Sequence, residues 1–148
     1  PGIAMKVGVL LVTHPGVGSA MLHIASRIIG RTTLPIKCLE VPTDASLEPA
    51  MESARSMLEV LNAGDGVLVL TDIYGATPHN LAKEVACNQP GATVLSGLNL
   101  PMLVRVFNYP DDDLDTLSSK AAEGGSRGIM SCPLQSAEGG QENSHARA

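Results

Sequence analysis

The sequence predicts an α/β domain in which helices sandwich a four-stranded parallel sheet. Two apolar runs, at residues 7–12 and 66–71, lack the polar alternation of a strand that is wetted on one face. Such runs are typical of parallel strands buried on both faces. Because segments with helical spacing of apolar residues alternate with the strands, the chain is expected to form a doubly wound sheet.

The first strand ends at Thr13 and His14, and a Pro-Gly-Val-Gly turn leads into a helix expected from Gly18 to about Gly30. Pro15 disfavours the helical region for the residue before it, so His14 should stay extended at the last position of the strand. Ligands of open α/β sheets bind at the carboxyl ends of the strands. The imidazole is therefore expected at a ligand-binding edge.

The second strand is predicted at residues 36–41, where charges such as Glu40 interrupt the apolar run and favour a position at the edge of the sheet. A helix is expected to follow from about residue 47 to 62. Asp44 or Ser46 is the predicted N-cap of this helix, because both side chains can accept a backbone N–H.

The third strand, residues 66–71, ends in Asp72. Thr77 and Pro78 then predict a helix that has threonine as its N-cap and proline at its first position. This helix should end near residues 88–91, where proline and glycine follow one another.

The fourth strand is predicted at residues 92–96, and a short apolar helix should follow it to about Phe107. A last helix is expected to begin at residues 111–113, three aspartates that suit the positive end of a helix dipole, and to be interrupted at Gly124 and Gly125. We expect the strand order 2-1-3-4, with a switch point between the first and third strands.

Composition narrows the classes of function. The net charge of -5 and an aromatic content of 2% argue against nucleic-acid binding. No apolar segment approaches the ~20 residues that span a bilayer. Three widely spaced cysteines, Cys38, Cys87 and Cys132, indicate reduced thiols of a cytoplasmic protein and no metal site.

The domain is expected to span residues 5–132. Residues 1–4, before Met5, resemble a remnant of cloning. Residues 133–148 are polar and lack periodicity, so we expect a disordered tail.

The candidate catalytic residues are His14 and Asp72, which should meet at the switch point. A carboxylate that accepts the Nδ1–H of an imidazole fixes the tautomer and leaves the Nε2 lone pair as a nucleophile. Helix starts at Gly18 and at Thr77 supply unpaired N–H groups that can bind an anion. The pattern favours acceptance of a phosphoryl group, since such transfer depends on positioning and charge stabilisation.

Four stretches together resemble the IIA domain of the mannose family of the bacterial phosphoenolpyruvate-dependent sugar phosphotransferase system. They are residues 9–14 (VLLVTH), 67–80 (VLVLTDIYGATPHN), 97–103 (GLNLPML) and 124–129 (GGSRGI). The resemblance extends from Met5 to about Cys132, and its specificity lies in the combination. Pro15 departs from the glycine that many members have after the histidine.

The resemblance implies a phosphotransferase without a cofactor, in which His14 takes a phosphoryl group from the phosphocarrier HPr and passes it to a IIB protein. Asp72 would orient His14. Thr77 would help to hold the phosphoryl oxygens, and Gly75, Gly16 and Gly18 are the further candidate phosphate-binding residues.

Family members form homodimers by exchanging an antiparallel strand, for which residues 128–132 are the candidate here. The absence of a IIB domain in this sequence leads us to expect a separate acceptor chain, which would involve the membrane only indirectly, through a permease. The residues specify no sugar, and they leave both transport and regulation open.

Other interpretations remain open at this stage. Gly16 and Gly18, with Glu40 closing the second strand, resemble a dinucleotide-binding fingerprint, although Met21 replaces its third glycine. The phosphotransfer subunit of dihydroxyacetone kinases shares the fold and the histidine. A flavodoxin-type binding module is the non-enzymatic alternative.

A metal-dependent hydrolase could use His14, Asp72 and His79, but no characteristic ligand spacing supports it. We expect His79 to face solvent and to influence partner contacts.

Overall fold

The computed structural model describes residues 6–135, which form four strands and five helices. The elements are β1 (Gly8–Thr13), α1 (Val17–Ile29), β2 (Ile36–Glu40), α2 (Glu48–Leu61), β3 (Val67–Thr71), α3 (Thr77–Ala86), β4 (Ala92–Leu95), α4 (Leu100–Phe107) and α5 (Leu114–Arg127). The predictions for residues 1–4 and 136–148 lie outside the described residues. Residues 133–135 belong to no helix or strand.

The sheet is parallel and has the order β2-β1-β3-β4, which confirms the predicted topology and the edge position of β2. Every residue of β1 and β3 is buried, as expected for strands covered on both faces. The register pairs Val12 with Thr71, the last residue of β3, and β1 ends one residue further at Thr13, so the two strands end within one residue of each other.

Two hydrophobic cores hold the helices against the sheet. Leu11 belongs to the core that α1, α4 and α5 cover, whereas Leu10 belongs to the core that α2 and α3 cover. Adjacent residues of one strand thus face opposite cores, as the pleat requires. Both leucines are at most 1% exposed, and burial of one such side chain contributes about 1.5–3 kcal/mol.

Two predicted boundaries need correction. β1 ends at Thr13, and His14 lies one residue beyond the strand. Its backbone N–H donates to Asp72 instead of continuing the sheet ladder. The helix after β2 begins at Glu48 with Leu47 as its N-cap, although Ser46 Oγ accepts the Glu48 N–H at 3.4 Å.

The predicted interruption at Gly124 and Gly125 is wrong, because α5 runs through both glycines. The pair lies where α5 crosses α4. A Cβ atom on Gly124 would lie 2.7 Å from Arg105 Cβ, and one on Gly125 would lie 3.1 Å from Met102 Cε. Close packing of the two helices therefore explains the glycines. Asp113 is the N-cap of α5 and accepts the Thr116 N–H, as the aspartate run led us to expect.

Within residues 6–135, no helix is both long and apolar enough to span a membrane.

The glycine pair allows a test of this packing. Alanine usually stabilises a helix interior by roughly 0.5–1 kcal/mol relative to glycine. We expect Gly124→Ala to lower the free energy of unfolding by about 1–3 kcal/mol instead, because Arg105 Cβ is fixed to the backbone and can move little. Gly125→Ala should be tolerated better, because its new contact is the flexible end of Met102. Urea denaturation would compare them, and equal stabilities would contradict the account.

Candidate functional site

The predicted pair, His14 and Asp72, meets at the carboxyl edge of the sheet. Each residue directly follows a central strand, β1 for His14 and β3 for Asp72, and the parallel register brings the two strand ends side by side. The imidazole Nδ1 lies 2.8 Å from Asp72 Oδ2, and the same oxygen accepts the backbone N–H of His14 at 2.9 Å. One carboxylate oxygen thus holds both the ring and the backbone of His14.

This contact defines the tautomer of His14. An ionised carboxylate can only accept hydrogen bonds, so Nδ1 carries the proton and Nε2 has the lone pair. The His14 side chain is 34% exposed and that of Asp72 only 10%. A partly exposed imidazole on a nearly buried carboxylate is an arrangement suited to nucleophilic attack by Nε2.

Asp72 is ionised at neutral pH. Burial raises the pKa of its carboxyl group, but hydrogen bonds from the His14 backbone and ring and from the local backbone, together with the electrostatic interaction with His14, outweigh burial and bring the pKa below the ordinary value. The Ile73 N–H donates to the second oxygen, Oδ1, at 3.1 Å. The acceptor that orients His14 is therefore charged when the protein functions.

The first predicted anion site, at the start of α1, already has acceptors within the chain. Glu40 Oε2 accepts the Ser19 N–H at 3.0 Å and the Ser19 hydroxyl at 2.6 Å. Thr13 Oγ1 accepts the Gly18 N–H at 2.9 Å, and the His14 carbonyl accepts the Val17 N–H at 3.2 Å. The Val17, Gly18 and Ser19 N–H groups at this helix start therefore already have acceptors in the chain.

The contacts with the start of α1 change the pKa of the Glu40 carboxyl group. Hydrogen bonds from the Ser19 side chain and from the Gly16 and Ser19 backbone lower the pKa of Glu40 below its ordinary value. Of Gly16 and Gly18, both predicted to bind phosphate, Gly18 directs its N–H to Thr13 Oγ1 inside the protein. Gly16 has φ +87° and gives the turn a conformation that other residues rarely adopt.

The second predicted anion site, at the start of α3, is different. The helix begins at Thr77, with Ala76 as N-cap and Pro78 as the second helical residue, so the prediction of Thr77 as N-cap is wrong by one position. The reason is that the Asn80 N–H makes the first helical bond, to the Ala76 carbonyl. Within residues 6–135, neither the Thr77 and His79 N–H groups nor the Thr77 hydroxyl has a hydrogen-bond partner.

Gly75 and His79 differ from their sequence-based descriptions. His79 is 6% exposed and does not face solvent. Its Nδ1 accepts the Gly75 N–H at 2.9 Å, and its ring stacks on Tyr74 with the centroids 4.6 Å apart. The Gly75 N–H thus already has an acceptor, and burial of His79 follows from a contact with the loop four residues earlier.

The geometry disfavours two of the alternative interpretations, the dinucleotide-binding domain and the metal-dependent hydrolase. Glu40, the candidate ribose-binding acid, is hydrogen-bonded to the helix terminus where a dinucleotide would place its pyrophosphate. Within residues 6–135, no group of three His, Cys, Asp or Glu side chains could hold a metal ion. The Nδ1 of His79 accepts the Gly75 N–H, so His79 does not act as a third metal ligand beside His14 and Asp72.

Sequence reasoning missed the roles of Glu40 and Thr13. Glu40 reaches Ser19 only because β2 pairs with β1 in a register that brings Glu40 beside Thr13. The hydroxyl of Thr13 is buried and connects the end of β1 to α1, since it donates to the His14 carbonyl at 2.8 Å and accepts from Gly18. Only the spacing from Gly75 to His79, which matches one helical turn, could have suggested that His79 folds back on the loop.

Comparison with known proteins identifies what the chain is similar to. Residues 8–121 match the family model described as the PTS system fructose IIA component. The chain is 26% identical over 136 residues to the mannose-specific EIIAB component of the PTS system of Escherichia coli K12. That alignment covers 90% of this chain and 42% of the relative, so the chain spans about two fifths of that protein.

Solved structures support the same fold. The mannose/sorbose-specific IIA subunit of the phosphotransferase system from Enterococcus faecalis superposes with a TM-score of 0.76 at 25% identity, covering 89% of this chain and 98% of that chain. A PTS IIA protein associated with the fucose utilization operon of Streptococcus pneumoniae gives a TM-score of 0.75 at 20% identity, covering 88% and 96%.

The tautomer of His14 can be tested directly. In the wild-type protein at neutral pH, long-range 1H–15N NMR spectra should show His14 with its proton on Nδ1. Asp72→Ala removes the acceptor, so His14 should then populate both tautomers. Asp113→Ala is the matched control, because that carboxylate also accepts a backbone N–H but lies at the start of α5. A tautomer of His14 that does not respond to Asp72→Ala would contradict the assignment.

Proposed function

Because the chain belongs to the family of PTS IIA components, we propose that it is a phosphocarrier whose His14 accepts a phosphoryl group from HPr and passes it to a IIB partner. Members of this family are phosphotransferases. The observation that carries the proposal is the contact between His14 Nδ1 and Asp72 Oδ2, at 2.8 Å. Five residues after Asp72 the chain begins α3, whose Thr77 and His79 N–H groups have no acceptor within residues 6–135.

The proposed reaction transfers one phosphoryl group between two imidazoles. The Nε2 lone pair of His14 forms a bond to phosphorus while the P–N bond of the donor breaks, and the donor nitrogen keeps that electron pair. The imidazole of His14 gains positive charge as the bond forms, and the Asp72 carboxylate stabilises this charge through the Nδ1 proton. No proton needs to leave His14 during the step.

The phosphoryl oxygens would be held at α3. The Thr77 hydroxyl and the N–H groups of Thr77 and His79 are the donors proposed for this task, and the positive end of the helix dipole adds to them. Gly16, Gly18 and Gly75 would contribute backbone conformation, since their N–H groups serve acceptors in the chain. Such preorganised donors stabilise charge on the equatorial oxygens of a loose transition state.

A protein is the most suitable donor. Ile73 and Tyr74, in the loop next to Asp72, are 58% and 77% exposed. Exposed large apolar side chains next to a reactive group are typical of protein–protein contacts. One relative is named the mannose-specific EIIAB component of the PTS system. We propose in addition that this chain serves sugar uptake or its regulation in the cytoplasm. The proposal includes a IIB acceptor without specifying a sugar.

We also propose that two copies exchange the segment after α5. β4 is an edge strand, and within residues 6–135 its outer edge has no partner. Ile129, Met130 and Leu134, in the segment that follows α5, are 85%, 81% and 90% exposed. Pairing of this segment with β4 of a second copy would cover both the strand edge and the apolar side chains.

The oligomeric state tests this exchange. The wild-type protein should be a dimer in light scattering coupled to gel filtration, and Ile129→Asp with Met130→Asp should shift it to a monomer, because two charges would be buried. Val60→Asp is the control, since Val60 is 69% exposed on α2. A monomeric wild-type protein would contradict the proposal.

The phosphocarrier role is tested with phosphoenolpyruvate, enzyme I and HPr. Intact-mass analysis should show one added phosphate that is acid-labile and stable to base, as expected for phosphohistidine. His14→Ala should abolish it, whereas His23→Ala, at an exposed histidine of α1, should retain it. Asp72→Ala should slow labelling at least about 10-fold, since the ring is no longer oriented. Labelling of the His14→Ala variant would overturn the assignment.

A further inference from the structure

His79 lies outside the His14–Asp72 pair but holds the loop that connects β3 to α3. It is the third residue of α3 and is 6% exposed. Its Nδ1 accepts the Gly75 N–H at 2.9 Å, and its ring stacks on Tyr74 at an interplanar angle of 35°. The Nδ1 of His79 is already used by the Gly75 N–H, and the side chain is buried, so His79 is poorly suited to bind a phosphoryl group itself. Its contacts indicate a role in holding the loop.

The hydrogen bond defines the protonation of His79. An imidazole can accept at Nδ1 only when it is neutral and has its proton on Nε2. His14 has the opposite tautomer, because its Nδ1 faces a carboxylate. The two histidines therefore differ in their tautomers: His14 has its lone pair on Nε2, the nitrogen that does not contact Asp72, and His79 directs the lone pair of Nδ1 to the backbone of the loop.

Gly75 is the loop residue whose backbone N–H donates to His79. Its φ of +84° lies in the left-handed region, and a Cβ atom placed on it would meet nothing within 4 Å. Side-chain packing therefore does not restrain Gly75. Glycine also has more accessible backbone conformations than any other residue type. Two side chains of α3 restrain it instead: His79 accepts its N–H, and Asn80 Nδ2 donates to its carbonyl at 3.0 Å.

We propose that His79 is a positioning residue for phosphoryl transfer. By fixing Gly75 it fixes the chain that enters α3, and with it the Thr77 and His79 N–H groups that would receive the phosphoryl oxygens. The inference rests on the proposed function. Donors that are oriented before the reaction cost no reorganisation during it, and a misplacement of about 1 Å can lower a rate roughly 100-fold.

Two variants separate the acceptor from the ring. His79→Phe keeps an aromatic ring for Tyr74 and removes the acceptor at the Nδ1 position. His79→Asn removes the ring and keeps an acceptor, because Oδ1 is attached to the same carbon position as Nδ1. Since Gly75 is exposed, water can satisfy its N–H in the His79→Phe variant, and the fold should survive.

The test measures transfer from phosphorylated HPr to His14 under saturating and limiting donor. We expect His79→Phe to lower kcat about 10- to 100-fold with KM little changed, because the donor still docks on the same surface. His79→Asn should stay within about threefold of the wild-type kcat, since the acceptor is retained. A wild-type kcat for His79→Phe overturns the inference, and so does a kcat for His79→Asn as low as that of His79→Phe.

A measurement on the unphosphorylated wild-type protein provides an independent check. Imidazole 15N shifts should identify His79 as the neutral Nε2–H tautomer, and the opposite tautomer would overturn the inference. The transfer experiment also separates the two proposals. If the wild-type protein takes up no phosphate, the proposed function fails and the role of His79 with it. If the wild-type protein is labelled and His79→Phe has the same kcat as the wild type, only the proposed role of His79 fails.

Discussion

The candidate site depends on one carboxylate oxygen. Asp72 Oδ2 accepts both the backbone N–H and the ring N–H of His14, so it fixes where the residue lies and which of its nitrogens has the lone pair. This double contact is possible only because β1 and β3 are neighbours in parallel register and end within one residue of each other. A slip by one residue would turn the side chains to opposite faces of the sheet. The buried apolar strands therefore determine the geometry of the polar residues that follow them.

The two helices that begin at this edge differ in how their first N–H groups are used. At α1 the chain supplies its own acceptors, in Glu40, Thr13 and the His14 carbonyl. At α3 the N-cap is an alanine without a side-chain acceptor, and proline occupies the second position. The dipole of each helix favours an anion at its N-terminus, but the Val17, Gly18 and Ser19 N–H groups of α1 already have acceptors, whereas the Thr77 and His79 N–H groups of α3 have none within residues 6–135. This asymmetry is the reason for proposing α3, and not α1, as the helix that holds the phosphoryl oxygens.

The sequence was most informative where a local pattern decides the structure. The apolar runs of β1 and β3 and the polar residues that end them, His14 and Asp72, were enough for the sheet order and for the candidate pair. Contacts between segments were not predictable in this way. The glycines at 124 and 125 look like a helix stop, but they allow α5 to approach α4. His79 looks exposed because it begins a helix, but its ring folds back on Gly75.

Glu40 has a consequence for the way the molecule opens. It is the last residue of β2, and edge strands generally separate from a sheet before central ones. Here the end of that strand also caps α1, since Glu40 bonds to Ser19. Fraying of β2 would therefore release the first turn of α1 at the same time. The two elements should open as a single cooperative unit, and amide exchange in that turn should follow exchange in the strand, while β3 and α3 stay closed.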